Sequence, residues 1–177
     1  MKHVRQWCAL VVGVVVLVPV GSSAQEEAKA IELSLFSPVQ VMGPEADIAG
    51  IRLSLYGRNA TMQGLDLSII GHTTGVTRGV SVGFVGLAEG GFQGFQHHIV
   101  NVSQGPTTGF QLGLYNEAAS GEVFQMGIFN RLDSGSGFML GIVNWADDFE
   151  GLQIGIINFI KVAEGHVFLP IVNWRFQ

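Results

Sequence analysis

An eight-residue unit recurs along the chain at spacings of 14 or 15 residues, and this repeat limits the possible folds more than any other feature. The unit reads Gly, apolar, polar, apolar, small, apolar, apolar and then Asn or Gly, as in residues 109–116 (GFQLGLYN) and 151–158 (GLQIGIIN). Copies begin at residues 50, 64, 79, 94, 109, 123, 137, 151 and 166, and a weaker first copy begins at Ala30. The sequence therefore predicts about ten copies of one structural unit.

The last position of the unit keeps the same residue types from copy to copy. Gly57, Gly71 and Gly86 occupy it in the earlier copies, and asparagine occupies it in the later ones. These asparagines are Asn101, Asn116, Asn130, Asn144, Asn158 and Asn173. If equivalent positions stack on one another, the side-chain amides form a structural ladder that begins at Asn101.

Apolar and polar residues alternate within the unit, which is typical of a β-strand with two different faces. The second, fourth and sixth positions share one face and are apolar, so the pattern predicts that residues such as Leu112 form the core. The third position lies on the opposite face, which is predicted to be the polar outer surface. It holds Gln96, Gln111, Gln125 and Gln153, with Met139 interrupting the row.

Two all-β architectures fit this pattern. A β-solenoid of about ten 14–15-residue repeats stacks one coil per repeat, ~4.8 Å apart, and explains why the repeating unit is a single strand. A ten-stranded up-and-down outer-membrane β-barrel would use Tyr56, Tyr115, Trp145 and Trp174 as an aromatic girdle. Its natural repeat is a hairpin, however, and its loops alternate in length. The sequence therefore favours the solenoid.

The first 24 residues have the layout of a secretory signal peptide. Lys2 and Arg5 precede an apolar run, and Ser22-Ser23-Ala24 provides small residues for cleavage before Gln25. The apolar run is shorter than the ~20 residues that a membrane-spanning helix needs. We therefore divide the chain into a signal peptide (1–24), a short N-terminal segment (25–30) and a β-repeat domain (31–177).

The predicted mature chain is acidic and has no thiol. Cleavage removes two of the nine basic residues and none of the fourteen acidic ones, which leaves a net charge of −7. Cys8 is the single cysteine and lies in the signal, so disulfides and thiolate chemistry are excluded after cleavage. The acidic charge argues against nucleic acid and anionic lipid headgroups as partners.

The repeat pattern resembles an uncharacterised bacterial family of surface repeat proteins with tandem units of the form Gly-Leu-Gln-Leu-Gly-Leu-Val-Asn. The resemblance covers residues 31–176 and includes the opening LFSPVQ (35–40), the segment GIRLSLYG (50–57), the tandem units and the closing LPIVNW (169–174). Copies two to four depart from the family by having Gly where Asn is usual, and His97-His98 interrupts the unit that begins at Gly94. The resemblance implies a bacterial surface protein but supplies no activity or ligand.

The histidines do not form a recognisable metal site. His97 and His98 are adjacent, so a strand directs them to opposite faces, with His97 predicted at a core position and His98 at the small position. His72 follows Gly71 at a predicted turn and has no second ligand beside it in the sequence. The favoured interpretation is a histidine whose hydrogen bonds are satisfied within the repeat.

Asp147, Asp148 and Glu150 form the one tight acidic cluster in the sequence, and their oxygens would suit calcium at a turn. The glycine-aspartate nonapeptide of calcium-binding β-rolls is absent, so a solvated acidic turn is the favoured interpretation. The segment Ser134–Gly137 lacks a nucleophile-elbow pattern and is interpreted as a turn.

We therefore predict no catalytic, cofactor-binding or metal-binding residues. The expected protein is exported to the cell surface or outer membrane, with the periplasm as a further option. It is expected to have a structural or interaction role toward an unidentified surface or envelope component. The main alternative is an integral outer-membrane barrel that acts as a small pore or anchor. A hydrolase grafted on a solenoid is the weakest hypothesis, because no convergent residues support it.

Overall fold

The computed structural model describes residues 28–36, 39–162 and 165–176, and every helix or strand element in this part of the chain is a β-strand. The predicted signal peptide and residues 25–27 of the following segment lie outside the described residues. The strands are β1 (Lys29–Phe36), β2 (Val39–Gln40), β3 (Asp47–Asn59), β4 (Thr61–Thr73), β5 (Thr77–Ala88), β6 (Phe92–His97), β7 (Val100–Leu112), β8 (Tyr115–Val162) and β9 (Gly165–Arg175).

Successive coils pair in parallel and in register, so each residue lies beside its equivalent in the next copy. The glycines that open the units align in one column through β3 to β7, and Val123 of β8 continues that column beside Gly109. The column consists of Gly50, Gly64, Gly79, Gly94, Gly109 and Val123. This parallel stacking confirms the predicted β-solenoid, and it differs from the antiparallel pairing of an up-and-down barrel, so the barrel alternative is wrong.

The opening glycine of the unit lies at a corner where two neighbouring backbones approach closely. Gly64 has a φ of +122°, a conformation that residues with side chains rarely adopt. A Cβ atom placed on Gly64 would lie 2.2 Å from the carbonyl oxygen of Gly50 in the adjacent coil. Glycine is needed here because the neighbouring coil occupies the space of a side chain.

Both ends of the parallel stack are closed by a strand that runs in the opposite direction. At the N-terminal end β2 pairs antiparallel with β1, and at the C-terminal end β9 pairs antiparallel with residues 151–162 of β8. The copy predicted to begin at residue 166 is therefore not a further parallel coil, which corrects the sequence prediction. A reversed strand does not offer a parallel template for another coil, so these strands terminate the stack.

The strand face that was predicted to form the core is on the outside. Phe110 is 49% exposed and Leu114 is 53% exposed, while Leu112 between them is half-buried. The row that was predicted to be the outer polar surface points inward, and Gln111 is fully buried. The sequence prediction of the buried face is therefore wrong.

The interior of each coil is narrow and contains both polar and apolar side chains. Most of the polar ones come from the third, fifth and eighth positions of the unit. The rest of the coil contributes mainly apolar side chains, together with the buried polar residues Asn59, Thr73, Thr77, Ser103 and Thr107. The apolar cluster in the C-terminal half consists of Ala118, Val123, Leu132, Met139, Ala146, Phe149 and Ile160. Because a coil of 14 or 15 residues bends sharply, some of its backbone carbonyls face this interior, where they need hydrogen-bond donors.

Candidate functional site

The asparagines at the eighth position form a continuous hydrogen-bonded column inside the solenoid. Each amide donates to the side-chain oxygen of the next asparagine, from Asn101 to Asn116 (2.7 Å) and onward to Asn158 with N···O distances of 2.7–2.8 Å. Asn173 lies on the reversed strand β9 and instead donates to the backbone oxygen of Asn158 (3.4 Å). The column therefore joins one coil to the next along the parallel stack.

Each asparagine also bonds a backbone carbonyl at the bend of the next coil. Asn116 donates to the carbonyl of Met126 and Asn130 to that of Leu140, both at 3.0 Å. The small fifth position leaves space for these amides: a Cβ atom on Gly127 would lie 2.6 Å from Nδ2 of Asn116. The pairing of Gly at position five with Asn at position eight thus satisfies a buried carbonyl that the bend turns inward.

The glutamines of the third position form a second internal column. Gln125 donates to Gln111 at 2.7 Å, and Gln111 donates to Gln96 at 3.1 Å. The same amides cross the coil, because Gln111 donates to the backbone oxygen of Glu117 at 3.2 Å. These side chains therefore connect opposite sides of the coil by hydrogen bonds. The sequence analysis placed them on the outer surface and so did not predict this role.

In the first coils a charged network replaces these amide columns. The guanidinium of Arg52 makes two hydrogen bonds to the carboxylate of Asp66, at 2.8 and 2.6 Å, and both residues are buried. Ser68 and Ser81 also donate to this carboxylate. Buried side chains explain why these copies have Gly at position eight: a Cβ atom on Gly71 would lie 2.8 Å from Asp66 and 2.9 Å from Arg52, and one on Gly86 would lie 2.6 Å from His98.

The two buried carboxyl groups near Arg52 have pKa values that are shifted in opposite directions. Burial alone would raise the pKa of Asp66, but the hydrogen bonds and positive charge of Arg52, with help from the two serines, lower that pKa below its ordinary value. Burial raises the pKa of the Glu32 carboxyl, which accepts a hydrogen bond from the backbone of Met42. The Arg52 charge is therefore matched by ionised Asp66, while Glu32 retains its proton to higher pH.

His98 joins the charged network to the asparagine column. Its Nδ1 is 2.8 Å from Oδ1 of Asn101, and its Nε2 is 3.3 Å from Oγ of Ser81. The Asn101 amide already donates to Asn116, so its oxygen faces the histidine and Nδ1 must carry the proton. Burial lowers the pKa of His98, which keeps the imidazole neutral near neutral pH.

We expect the His98 site to make the folded protein less stable as the pH falls. A histidine whose pKa is lower in the folded state contributes stability above its unfolded pKa of ~6.5 and loses it as the pH falls toward the folded pKa. The charged groups that act on it are Asp66, Arg52 and His97. The melting temperature of the wild type should therefore fall between pH 7.5 and 5 more steeply than that of His98→Gln.

The difference between these two melting curves isolates His98, because Glu32 and Asp66 are present in both proteins. The raised pKa of Glu32 acts in the opposite direction, adding stability as the pH falls. Parallel curves for wild type and His98→Gln would show that His98 titrates alike in the folded and unfolded chain.

The other candidate residues from the sequence are dispersed. His97 is exposed, contrary to its predicted core position, and His98 is the buried one. His72 contacts Glu89 at 2.6 Å, so it has a partner that the sequence did not reveal. In the acidic cluster, Asp148 is 3.3 Å from Arg175.

Among the described residues no group of three or more His, Cys, Asp or Glu side chains is arranged to hold a metal ion. In that same part of the chain, no helix is long and apolar enough to span a membrane. Sequence reasoning also missed the internal network around Arg52 and Asp66. Its signal was the presence of charges at the third position, where later copies have glutamine.

The outer surface built from the second, fourth and sixth positions is a continuous sheet of apolar side chains, which we call the apolar face. Its rows run along the whole parallel stack, and His97 is the one polar residue in the registered part from Ile51 to Met126. Members that are more than one-third exposed include Leu53, Leu67, Val80, Phe95, Phe110, Leu114, Met126 and Ile128.

Aromatic rings stack along one row of this face. The ring centroids of Phe110 and Phe124 are 5.2 Å apart, and those of Phe124 and Phe138 are 5.1 Å apart. Near the N-terminal end the face borders an open groove of about 510 Å³, whose lining includes Leu33, Val39 and Leu53. An exposed apolar surface of this extent is typical of a site of association.

No family model matches the chain, and searches of curated proteins and of solved structures also found no match.

Proposed function

We propose that this protein is an exported bacterial surface or outer-membrane-associated β-solenoid with a structural or interaction role and no catalysis. The observation that carries this proposal is the apolar face, because a monomeric soluble protein rarely exposes so much contiguous apolar surface. The interior asparagine and glutamine amides, by contrast, donate to one another and to the backbone. They stabilise the fold, and the outer apolar face is therefore the surface that is available to bind a partner.

Two features of the sequence support the cellular context of this proposal. The first 24 residues have the layout of a cleaved signal peptide, and the tandem units resemble those of an uncharacterised bacterial surface family. The acidic charge of the predicted mature chain further argues for an association driven by apolar contact rather than by anionic partners.

Photo-crosslinking in the producing cells tests this role. A photoreactive amino acid at Leu114, on the apolar face, should give a crosslinked product that is recovered with the cell envelope. The same amino acid at Gln104, an exposed residue outside this face, should give no such product. A chain retained in the cytoplasm, or equal crosslinking from both positions, would contradict the proposal.

A further inference from the structure

We propose that the apolar face pairs with the same face of a second copy of this chain, with the two solenoids antiparallel about a two-fold axis. This inference rests on the proposed function and names its partner. The two ends of the stack are closed by the reversed strands β2 and β9, so the sides of the solenoid remain for association. Two sheets that pack face to face are separated by ~10 Å, which allows the exposed side chains to interdigitate.

The size of the face suits a dimer. Coils stack ~4.8 Å apart, so the columns that run from Ile51 to the coil of Leu152 span ~34 Å, and five residues across the strand span ~13 Å. The flat area is roughly 450 Å² per copy, and the projecting side chains add to it. The two copies together therefore contribute about 900 Å² before the side chains are counted, which is less than the roughly 1,200–2,000 Å² that stable interfaces bury and fits a weak, reversible dimer.

A row of residues that borders the apolar face defines the orientation. It aligns Ala49, Gln63, Arg78, Gln93, Thr108 and Glu122 in register across the coils. Within this row Arg78 and Glu122 carry the charges, and both side chains are exposed. On the opposite side of the face, the adjoining row from Tyr56 to Phe129 carries no charge, and the first charges beyond it are Arg58, Glu117 and Arg131.

A two-fold axis between the coils of Gln93 and Thr108 places Arg78 of each copy opposite Glu122 of the other. The two charges lie one and a half coil spacings from the axis on either side, so the symmetric pair makes two such contacts. The same operation sets Val80 opposite Phe124, which matches a small side chain with a large one. Glu150, further along the border row, falls opposite the uncharged Ala49. The antiparallel arrangement is therefore complementary in both charge and shape.

Analytical ultracentrifugation of the chain as it is recovered after export tests this arrangement. The wild type should form a reversible dimer in the micromolar range. Arg78→Glu and Glu122→Arg should each weaken it about tenfold at low ionic strength, because each change places like charges at two symmetric contacts. The double variant Arg78→Glu/Glu122→Arg should restore the wild-type dissociation constant. Arg58→Glu, the same charge change on another face, should leave dimerisation unchanged.

A second variant tests the face itself. Leu114→Glu should abolish the dimer while the circular dichroism spectrum and thermal melt remain those of a folded chain, because this side chain is exposed. A wild type that is monomeric at all concentrations would overturn the inference. A dimer whose dissociation constant does not change in Arg78→Glu or Glu122→Arg would also overturn it. Flotation of a monomeric wild type with phosphatidylcholine vesicles would assign the face to lipid instead. A monomer that still crosslinks to another envelope component through Leu114 would overturn the dimer but leave the proposed function standing.

Discussion

Replacing Gln111 with lysine should destabilise the protein by about 3–5 kcal/mol, because the change places an unpaired charge inside the solenoid. Gln111 is fully buried at the middle of the stack. Its side chain bonds Gln96, Gln125 and the backbone oxygen of Glu117. Lysine can donate but cannot accept, so the amide of Gln125 would lose one of its two acceptors and keep only the backbone oxygen of Arg131.

Chemical denaturation of Gln111→Lys and Thr108→Lys measures this effect against a matched control. Thr108 lies in the same strand, and its side chain is exposed, so its replacement should change the free energy of unfolding by less than about 0.5 kcal/mol. Equal stability of the two variants would mean that the third position does not face the interior.

The second large effect is expected at the buried ion pair. Asp66→Asn keeps the shape of the side chain but removes the charge that balances Arg52, so we expect a loss of about 3–5 kcal/mol. Ser68 and Ser81 donate to different oxygens of this carboxylate, so one of them would also lose its acceptor, because asparagine keeps a single side-chain oxygen. Because the pKa of Asp66 is lowered in the folded state, its contribution is present above the unfolded pKa and is lost as the pH falls through the folded one.

An exposed ion pair provides the control for this prediction. Arg58 and Glu45 are 3.5 Å apart, and the Glu45 side chain is largely exposed. Glu45→Gln should therefore cost less than about 1 kcal/mol in the same denaturation experiment. If Asp66→Asn were no more damaging than Glu45→Gln, the internal pair would contribute no more than a surface contact.

The solenoid was predictable from the sequence because its cause is periodic. In-register stacking requires equivalent residues at a constant spacing, and glycine is needed at a corner where two backbones meet, as at Gly64. Both the equivalent residues and the corner glycines recur every 14 or 15 residues, so both requirements are visible in the sequence. The end strands were harder, since β9 begins within a segment that continues the repeat pattern and yet runs in reverse.

The direction of the strand faces could not be read from hydrophobicity. Alternation separates the two faces of a strand but does not say which one points inward when the coil is too narrow for a large apolar core. The polar face points inward because backbone carbonyls that face the interior, such as that of Met126, need an amide donor. The small fifth position was a usable signal of a crowded interior, because it shares a face with Gln111 and not with Leu112.

The two halves of the solenoid differ in how they can change length during evolution. From Asn101 to Asn158 the coils are joined by the same asparagine bonds, so a tandem duplication within this half inserts a coil that continues the asparagine column on either side. Around Arg52 and Asp66 each coil has a unique partner, and a duplicated copy would leave one charge unmatched. Duplication or deletion of whole units can therefore lengthen or shorten the protein in steps of ~4.8 Å at its C-terminal half, while the N-terminal half stays fixed.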